Sequence, residues 1–372
     1  MLVMGYMSGT SLDGVDVAMI ETDGVSIERF GPALLAPFTD TERAALVSAT
    51  QDALVWDGEG AQPASFSGAA AIIDVAHERA GKRLIAQAGC KPDLIGFHGQ
   101  TLLHRPRRTL SVQIGDPQVL ADALDVPVIA AMRQDDLRAG GEGAPLVPAY
   151  HAALADWLAL PGPVGFINLG GVANLTWVGV QGAGADRALV AFDTGPANGL
   201  IDLVVQQRGA GRYDDGGRLA AAGRVDQAVL ADLLSHAHFR IKGAKSLDRY
   251  DFSLDWARDH TLEDAVATLT AFTVHSVALA VKDLPQPPSC WVVCGGGCHN
   301  PVLMQGLRQR LGDCRLADEL GLRSDFIEAE AMGFLAVRSL RGLPLTFPGT
   351  TGVAAPLTGG RLWRPARMAA MV

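Results

Sequence analysis

The sequence predicts an α/β protein that is built from two similar halves. Apolar segments typical of strands alternate with Ala-rich segments typical of helices in both halves. The apolar run Leu2–Met4 enters a turn of small polar residues, and a second apolar run, Val15–Ile20, leaves it. The same strand–turn–strand pattern returns at 164–177. Together with the length of 372 residues, this repeat indicates a duplicated α/β unit in two domains.

Each predicted element follows from its residue pattern. Periodic Ala-rich stretches predict helices, short apolar runs that end at Gly, Pro or Asp predict strands, and Gly-rich polar stretches predict loops. For the first half we expect strands and turns over 2–35, helices at 41–55 and 66–88, strands at 94–97 and 110–114, a helix at 116–124, a strand at 126–131, a loop at 133–148 and a helix at 146–160. For the second half we expect strands within 164–177 and at 190–192, helices at 197–208, 218–235 and 262–284, a strand at 290–294, helices at 301–311 and 328–341, and an irregular tail over 344–372.

The Gly-rich polar stretch 133–148 is interpreted as the connection between the halves. We therefore expect a first α/β domain over 1–132, which carries the first hairpin and is completed by part of the C-terminal tail. The second domain is expected over 133–372, with the second hairpin and the Gly-rich loop 295–297.

Composition and charge argue against several classes of protein. A formal net charge of −9 disfavours general nucleic-acid binding, which needs a basic surface. The odd number of widely spaced cysteines does not form a secreted disulfide framework. The N-terminus lacks the basic stretch of a signal peptide, and the longest uncharged stretch, 157–185, contains prolines and glycines that do not suit a membrane helix. We expect a cytoplasmic protein with neither a nucleic-acid nor a membrane partner.

The tip of the first hairpin, Ser8–Gly14, consists mostly of small residues and hydroxyls, with one carboxylate. Glycine lets backbone N–H groups approach a ligand closely, and successive N–H groups with hydroxyls can bind an anion. Asp13 could hold the magnesium ion of a nucleotide. The alternative is an ordinary tight turn in which Asp13 bonds its own backbone. Because neither a P-loop nor a Rossmann fingerprint is present, any nucleotide must be bound by hairpin loops.

Hairpin phosphate loops in two duplicated halves resemble the actin and sugar-kinase superfamily. At family level the chain resembles anhydro-N-acetylmuramic acid kinase over nearly its whole length. The motifs that carry the resemblance occur in the family's order and are Met7 to Gly14, His98 to Thr101, Gln113 to Pro117, Gly140 to Pro148, Asn168 to Gly171, Phe192 to Pro196 and Cys294 to Gly297.

The resemblance implies two ribonuclease H-like domains with a central cleft. It implies ATP and Mg²⁺ as cofactors, 1,6-anhydro-N-acetylmuramic acid as the small-molecule substrate, and a homodimer. In the implied reaction, water opens the anhydro bridge at C1 and the freed O6 takes the γ-phosphoryl group, which gives N-acetylmuramic acid 6-phosphate in peptidoglycan recycling. An ordinary sugar kinase that acts on a free hydroxyl, or an actin-like ATPase without a sugar substrate, are the alternatives.

The implied catalytic residues are Asp193 and Glu330. Asp193, at the end of a predicted strand, would take a proton from the attacking water, with its pKa raised by desolvation. Its alternative role is the N-cap of the helix at 197–208. Glu330 would assist the water; its alternative is a solvated position on the last helix.

The remaining implied site residues fall into three groups. Those expected to bind ATP phosphates are Ser8, Gly9, Thr10, Ser11, Asp13, Gly14, Gly170 and Gly171, with Asp13 orienting Mg²⁺ through water. Those expected to lie against adenosine are Gly295, Gly296, Gly297 and Asn300, where the alternative is a plain strand-to-helix turn. Those expected to bind the sugar are His98, Gln100, Arg133 and Gly141. Arg133 is a candidate for the lactyl carboxylate because a guanidinium fork matches a carboxylate, and a surface salt bridge is its alternative.

Overall fold

The computed structural model describes residues 1–9, 11–180, 187–247 and 251–369. Within these residues the strands are β1 (Leu2–Ser8), β2 (Gly14–Thr22), β3 (Ile27–Pro37), β4 (Leu94–Arg105), β5 (Leu110–Ile114), β6 (Val128–Ala130), β7 (Val164–Leu169), β8 (Val172–Val178), β9 (Leu189–Pro196), β10 (Cys290–Cys294), β11 (Cys314–Leu316) and β12 (Arg361–Trp363). The α-helices are α1 (Asp40–Trp56), α2 (Ser65–Ala88), α3 (Pro117–Leu124), α4 (Gln134–Arg138), α5 (Pro148–Leu158), α6 (Asn198–Gln207), α7 (Arg218–Ala222), α8 (Gln227–Leu234), α9 (Leu262–Ala280), α10 (Pro301–Leu311), α11 (Ile327–Leu340), α12 (Pro348–Thr351) and α13 (Ala366–Ala369).

The chain divides into two units, Met1–Trp157 with Phe326–Val372, and Leu158–Asp325. The sequence predicts a boundary after residue 132, whereas the structure divides the chain after Trp157. The helix α5 packs with the first unit because Tyr150 contacts Phe334 of α11, with ring centroids 5.3 Å apart. The stretch 133–148 has the Gly-rich composition of a linker. The helix α5 that follows it packs in the first unit, so the division between the units comes at the end of α5.

The sheet of the first unit has the strand order β12-β6-β4-β1-β2-β3, and β5 pairs with β4. The strands β1, β2 and β3 pair antiparallel, whereas β4 is parallel to β1 and β6 is parallel to β4. Residues of α1, α2 and α3 pack with these strands in one apolar core. The polar turn between β1 and β2 is therefore held at the end of the strands by a buried sheet.

The sheet of the second unit has the order β11-β10-β7-β8-β9. Again three strands, β7, β8 and β9, pair antiparallel, and β10 and β11 continue the sheet in parallel from β7. Both units therefore contain an antiparallel triplet whose first strand is followed by parallel strands in the same order. The predicted fold of two duplicated ribonuclease H-like α/β units is confirmed.

Helix α11 lies in backbone contact with the first sheet through glycines. A Cβ atom at Gly5 of β1 would lie 1.8 Å from the carbonyl oxygen of Ala329, and one at Gly96 of β4 would lie 2.0 Å from that of Met332. Any side chain at these positions would push the helix off the sheet. These close approaches fix the helix that carries Glu330, one of the predicted catalytic residues.

Helix α9 is the central helix of the second unit and is buried along most of its length. It begins at the N-cap Thr261, whose side chain accepts a hydrogen bond from the Asp264 N–H group. Among the described residues, only the segment Leu262–Asp283 has the length and hydropathy of a membrane span, and 67% of an apolar 18-residue stretch within it is buried. Its apolar side chains belong to the core of the second unit.

Several elements differ in length from the sequence prediction. The predicted helix 218–235 is two helices, because Gly223 passes so close to α9 that a Cβ there would lie 2.0 Å from the Glu263 carbonyl oxygen. Strand β4 continues to Arg105 because β5 pairs with its second half. The tail, predicted as irregular, contributes β12, which pairs with β6.

Candidate active site

The first predicted phosphate loop joins β1 to β2, which pair antiparallel as the sequence predicts. Ser8 is buried at the end of β1, and Ser11 and Asp13 are exposed in the turn. The remaining hydroxyl residue of the loop, Thr10, lies outside the described residues. The exposed residues of this loop therefore include one hydroxyl and one carboxylate.

Three hydrogen bonds fix the backbone of this loop. The Leu12 N–H group donates to the Gly9 carbonyl oxygen at 3.2 Å, and the buried Leu12 side chain closes the turn at φ 55°. The Gln100 Nε2 group donates to the same Gly9 oxygen at 3.3 Å. The Phe38 N–H group donates to the Asp13 carbonyl oxygen at 3.1 Å. The loop is thus tied to both neighbouring strands.

The two glycines of the loop have different structural requirements. A Cβ atom at Gly9 would meet only Ser11 Oγ, at an ordinary distance of 3.7 Å. A Cβ atom at Gly14 would lie 2.5 Å from the Ala36 carbonyl oxygen of β3. Packing therefore explains Gly14, whereas the space beside Gly9 is open to a ligand that needs close backbone approach.

Two of the predicted sugar-binding residues, His98 and Arg133, contact each other. Arg133 approaches His98 Nε2 with Nε at 3.0 Å and Nη2 at 2.8 Å. The His98 Nδ1 atom faces the Gly99 carbonyl oxygen at 2.7 Å, so Nδ1 carries the proton and Nε2 accepts. Burial, with the positive charge of Arg133, lowers the pKa of His98 to about 3, which keeps the imidazole neutral.

The predicted sugar-binding loop at Gly141 is organised by Asp136, which the sequence analysis did not single out. The Asp136 carboxylate accepts hydrogen bonds from the Gly143 N–H group and from the Thr351 hydroxyl, each at 2.6 Å. A Cβ at Gly141 would lie 2.3 Å from the same carboxylate. A signal was present, because an acidic residue precedes a run of glycines, but the partner Thr351 lies far along the chain.

Glu330 is fully buried on α11 and accepts a hydrogen bond from the Tyr150 hydroxyl at 2.7 Å. The alternative of a solvated Glu on the face of the last helix is therefore wrong. Burial of a carboxylate needs hydrogen-bond partners, and Tyr150 is one. Sequence reasoning missed Tyr150, which lies 180 residues away.

The second predicted phosphate loop, Gly170–Gly171, joins β7 to β8. The Gly170 carbonyl oxygen accepts from the Asn198 N–H group at 3.0 Å, and the Gly171 oxygen accepts from the Ala197 and Gly199 N–H groups at 3.1 and 3.0 Å. The start of α6 is thus satisfied by this hairpin. A Cβ at Gly170 would meet only the Val172 oxygen, at 3.5 Å, so its surroundings leave space as those of Gly9 do.

Asp193 lies within β9, opposite Asn174 of β8. Its Oδ2 atom accepts a hydrogen bond from the Leu247 N–H group at 2.9 Å, and its own N–H group donates to the Lys245 carbonyl oxygen at 3.0 Å. The alternative role as the N-cap of α6 is wrong, because the N-cap is Ala197. The half-buried carboxylate is held by the segment around Lys245 instead.

The same segment carries two basic side chains near Asp193. The Lys245 Nζ group is buried, donates to the Ile241 carbonyl oxygen at 3.1 Å and lies 5.1 Å from the centre of the Phe192 ring. Burial lowers the pKa of Lys245. His238 Nε2 lies 3.0 Å from the Asp193 carbonyl oxygen, and burial lowers the pKa of His238 to about 4. The N–H group and the carbonyl oxygen of Asp193 are thus both hydrogen-bonded, which fixes the backbone that carries its carboxylate.

The predicted adenosine-side glycines lie against the second hairpin. A Cβ at Gly295 would lie 2.2 Å from Asn168 Oδ1, and one at Gly297 would lie 2.7 Å from Leu169 Cβ. Gly296 is exposed, and a Cβ there would meet only Asn198 Nδ2, at 3.9 Å. Packing therefore explains Gly295 and Gly297, and Gly296 alone of the three leaves space for a ligand.

Asn300 follows this glycine run and is buried. Its Oδ1 atom accepts from the Val302 and Leu303 N–H groups, so the side chain caps α10. The cap explains why an asparagine precedes Pro301, whether or not it contacts a ligand. No group of three or more His, Cys, Asp or Glu side chains within the described ranges is arranged to hold a metal ion.

Two ribonuclease H-like units, each with a glycine-bearing hairpin at the end of its central strands, define a protein of the actin and sugar-kinase class. A family model described as anhydro-N-acetylmuramic acid kinase matches residues 1–364. The chain belongs to the anhydro-N-acetylmuramic acid kinase family. Membership identifies it as a kinase that uses ATP.

Curated relatives of that name are similar along the whole chain. The relative from Rhodopseudomonas palustris is 47% identical over 370 residues, which cover 98% of this chain and 100% of the relative. The relative from Phenylobacterium zucineum is 48% identical over 375 residues, which cover 98% and 100%. The relative from Caulobacter vibrioides is 47% identical over 370 residues, which cover 97% and 98%.

Proposed function

We propose that this chain phosphorylates 1,6-anhydro-N-acetylmuramic acid with ATP and yields N-acetylmuramic acid 6-phosphate in cytoplasmic cell-wall recycling. The family match over residues 1–364 is the observation that carries the proposal. The chain would act as a homodimer, as the resemblance implies, and sedimentation of the purified chain tests that state.

The hairpins supply the phosphate sites in this proposal. Gly9 and Gly170 have no positive φ and no neighbour within 3.4 Å of a Cβ position, so neither is required by the packing of the described residues. A ligand that approaches the backbone closely would explain both glycines. Thr10 and Ser11 would bind phosphoryl oxygens with their hydroxyls, and Gly171 would allow close backbone approach in the second loop. The hydroxyl of Ser8 is buried and donates to the Gly99 carbonyl oxygen at 3.5 Å, so Ser8 would support the first loop from behind.

Asp13 is the residue that would orient Mg²⁺. Magnesium keeps several waters and is held in kinases by one or two carboxylates together with the phosphates, so a single exposed carboxylate suits it. When bound, the ion neutralises charge that develops on the transferred phosphoryl group. Gly296, with open space beside it, would lie against the adenosine, and Asn300 would border that site.

Asp193 is the proposed general base. Its carboxylate accepts the proton of the water that attacks C1, while the C1–O6 bond breaks and O6 attacks the γ-phosphorus of ATP, from which ADP leaves. The Leu247 N–H group orients the carboxylate through Oδ2 at 2.9 Å. Glu330, oriented by Tyr150, would assist the water as the second catalytic residue. His98, Gln100, Arg133 and Gly141 would bind the sugar.

ATP turnover with the anhydro sugar tests the proposal. Turnover should require 1,6-anhydro-N-acetylmuramic acid, and N-acetylmuramic acid should not replace it. Equal or faster turnover with the reducing sugar would favour the ordinary sugar kinase. Turnover that is independent of any sugar would favour an actin-like ATPase.

The anomer of the first product tests the role of Asp193. The anhydro bridge holds O6 on the β face of C1, so a water activated by a carboxylate must attack from the opposite face, as in inverting glycoside hydrolysis. The 6-phosphate should therefore form first as the α-anomer, which proton NMR can detect before mutarotation. An initial β-anomer would exclude Asp193 as the base in this geometry.

A further inference from the structure

Residues 140–143, named here the glycine loop, are built around a single buried carboxylate in the first unit. Asp136 is 2% exposed, and its Oδ1 atom accepts the Gly143 N–H group at 2.6 Å. Its Oδ2 atom accepts the hydroxyl of Thr351, which is itself fully buried, at 2.6 Å. A buried carboxylate with two short hydrogen bonds, one to the nearby loop and one to a residue 215 positions away, fixes both partners.

The glycine loop packs tightly against the Asp136 carboxylate. The Gly141 N–H group donates to the Asp136 carbonyl oxygen at 2.9 Å, and a Cβ at Gly141 would lie 2.3 Å from Asp136 Oδ1. The Glu142 N–H group donates to the Thr351 carbonyl oxygen at 2.8 Å. The loop is therefore clamped between α4 and the C-terminal segment.

The hydrogen bonds of the glycine loop also reach Arg133. Arg133 Nη1 donates to the Gly143 carbonyl oxygen at 2.6 Å. The N–H group of the same Gly143 donates to Asp136. The other side of the guanidinium rests on the neutral His98 ring. The His98 ring and the Gly143 carbonyl oxygen accept from opposite sides of the Arg133 guanidinium and so fix its plane. The orientation of that plane determines how a carboxylate can bind to it.

We propose that Asp136 is a positioning residue for recognition of the acidic group of the sugar. Through the glycine loop it sets the orientation of Arg133, and Thr351 holds Asp136 in place. The inference rests on the proposed function, in which Arg133 binds the lactyl carboxylate. The effect of losing Asp136 should therefore appear in the binding of the sugar and not in the binding of ATP.

Steady-state kinetics of Asp136→Ala and Asp136→Asn test the proposal. A misplaced binding group costs up to about 100-fold. We expect KM for the anhydro sugar to rise about 10- to 100-fold in Asp136→Ala, with KM for ATP unchanged. Asp136→Asn should recover part of the loss, because an amide oxygen can accept from Gly143 and its NH₂ group can donate to Thr351. The matched control is Asp135→Asn, whose partly exposed carboxylate on the same helix pairs with Arg138 and should leave both constants unchanged.

A double-mutant cycle with Arg133→Gln separates positioning from general damage. If Asp136 acts through Arg133, the loss in Asp136→Ala and Arg133→Gln together should be little larger than that in Arg133→Gln alone. Additive losses, or an equal rise in KM for ATP, would overturn the proposal. If Asp136→Ala does not fold, Thr351→Val gives the same test, because it removes one hydrogen bond and leaves the carboxylate.

The wild-type chain distinguishes this inference from the function on which it rests. Wild-type turnover of the anhydro sugar with unchanged KM in all the variants would overturn the positioning role alone. A wild-type chain without that turnover would overturn the proposed function and this inference together.

Discussion

The two hairpins that open the two sheets occupy the same place in the strand order and offer different groups to a ligand. The loop between β1 and β2 carries side chains, with an exposed hydroxyl at Ser11 and an exposed carboxylate at Asp13. The loop between β7 and β8 is Gly170–Gly171 alone, and its carbonyl oxygens accept the first N–H groups of α6. The duplicated sheets therefore fix where each loop begins and ends, while the residues within the two loops, and the groups they offer to a ligand, differ.

The difference extends to how each loop is held. The first loop depends on side chains, since Gln100 donates to Gly9 and the buried Leu12 closes the turn. The second loop is held by the backbone of α6, and Asp193 of β9 lies opposite Asn174 of β8, a few residues after the loop. Of the proposed site residues, the general base Asp193 lies in the second unit, and the second catalytic residue Glu330 and the magnesium carboxylate Asp13 lie in the first.

The largest effect should come from Asp193→Asn. Loss of a general base typically lowers turnover by about 10²–10⁴-fold. The amide retains an oxygen for the Leu247 N–H group, so nucleotide should still bind, as titration calorimetry can show. Asp264→Asn is the matched control, because its carboxylate also accepts a backbone N–H group in the same unit, from Arg224 at 2.7 Å. Turnover near that of the wild type would remove Asp193 from the mechanism.

The two units should also differ in their response to acid. In the second unit, burial lowers the pKa of His275 and the hydrogen bond to Asp226 raises that of His260, so these two act in opposite directions. The large decreases in pKa, caused by burial, are to about 4 for His77 and to about 3 for His98 and His151 in the first unit, and to about 4 for His238 in the second. These histidines stay neutral when folded but take a proton near pH 6.5 when unfolded, so stability is full above pH 6.5 and falls as the pH drops towards 4.

Each of these histidines should cost about 1.4 kcal/mol of unfolding free energy per pH unit in that window. The first unit should therefore lose stability faster than the second, which denaturant unfolding followed by hydrogen exchange at pH 7, 6 and 5 would measure. Equal slopes in both units would contradict the expectation.

The glycines of the two loops should behave alike despite the difference in side chains. Gly9→Val and Gly170→Val each place a side chain where the phosphate would approach, and overpacking of this kind costs about 1–3 kcal/mol, or about 5- to 150-fold in KM for ATP. Gly68→Val is the control, since a Cβ there meets nothing within 4 Å on the exposed face of α2. Melting temperatures near that of the wild type would show that the fold tolerates the variants. Unchanged KM values would make the loops structural only.

The smallest effect should come from Asp13→Ala. A carboxylate that orients magnesium through water contributes at the lower end of a charged hydrogen bond, about 1.5 kcal/mol, or about tenfold. Excess magnesium should restore part of the lost activity, and it should not rescue Gly9→Val. A magnesium titration that leaves the two variants equally impaired would remove the ion from the role of Asp13.

Local patterns predicted many elements of the fold closely. Helix α3 begins where Asp116 and Pro117 predict it, because Asp116 accepts the Gln118 N–H group as an N-cap and proline suits the first turn. The hairpins were predicted from apolar runs that flank small polar turns, and their pairing is confirmed. These signals act over a few residues, so a sequence shows them directly.

Contacts with distant parts of the chain could not be predicted from such local patterns. Gly295 and Gly297 have the pattern of a ligand loop, yet the atoms that exclude their side chains belong to the second hairpin. The break at Gly223 depends on a carbonyl group of α9. At 295–297 the sequence predicts a turn correctly and leaves open which surface the turn faces, whereas at Gly223 the predicted continuous helix was wrong.

The sequence by itself determined the alternating elements, the two hairpins and the family, because periodicity, capping and turn chemistry are local. Only the tertiary structure decided that α11 returns to the first sheet over Gly5 and Gly96, and that Glu330 is buried against Tyr150. It also decided that Asp136 meets Thr351, which lies 215 residues away. Burial and hydrogen bonding at these positions depend on which surfaces meet when the core closes, and no pattern of neighbouring residues specifies that pairing.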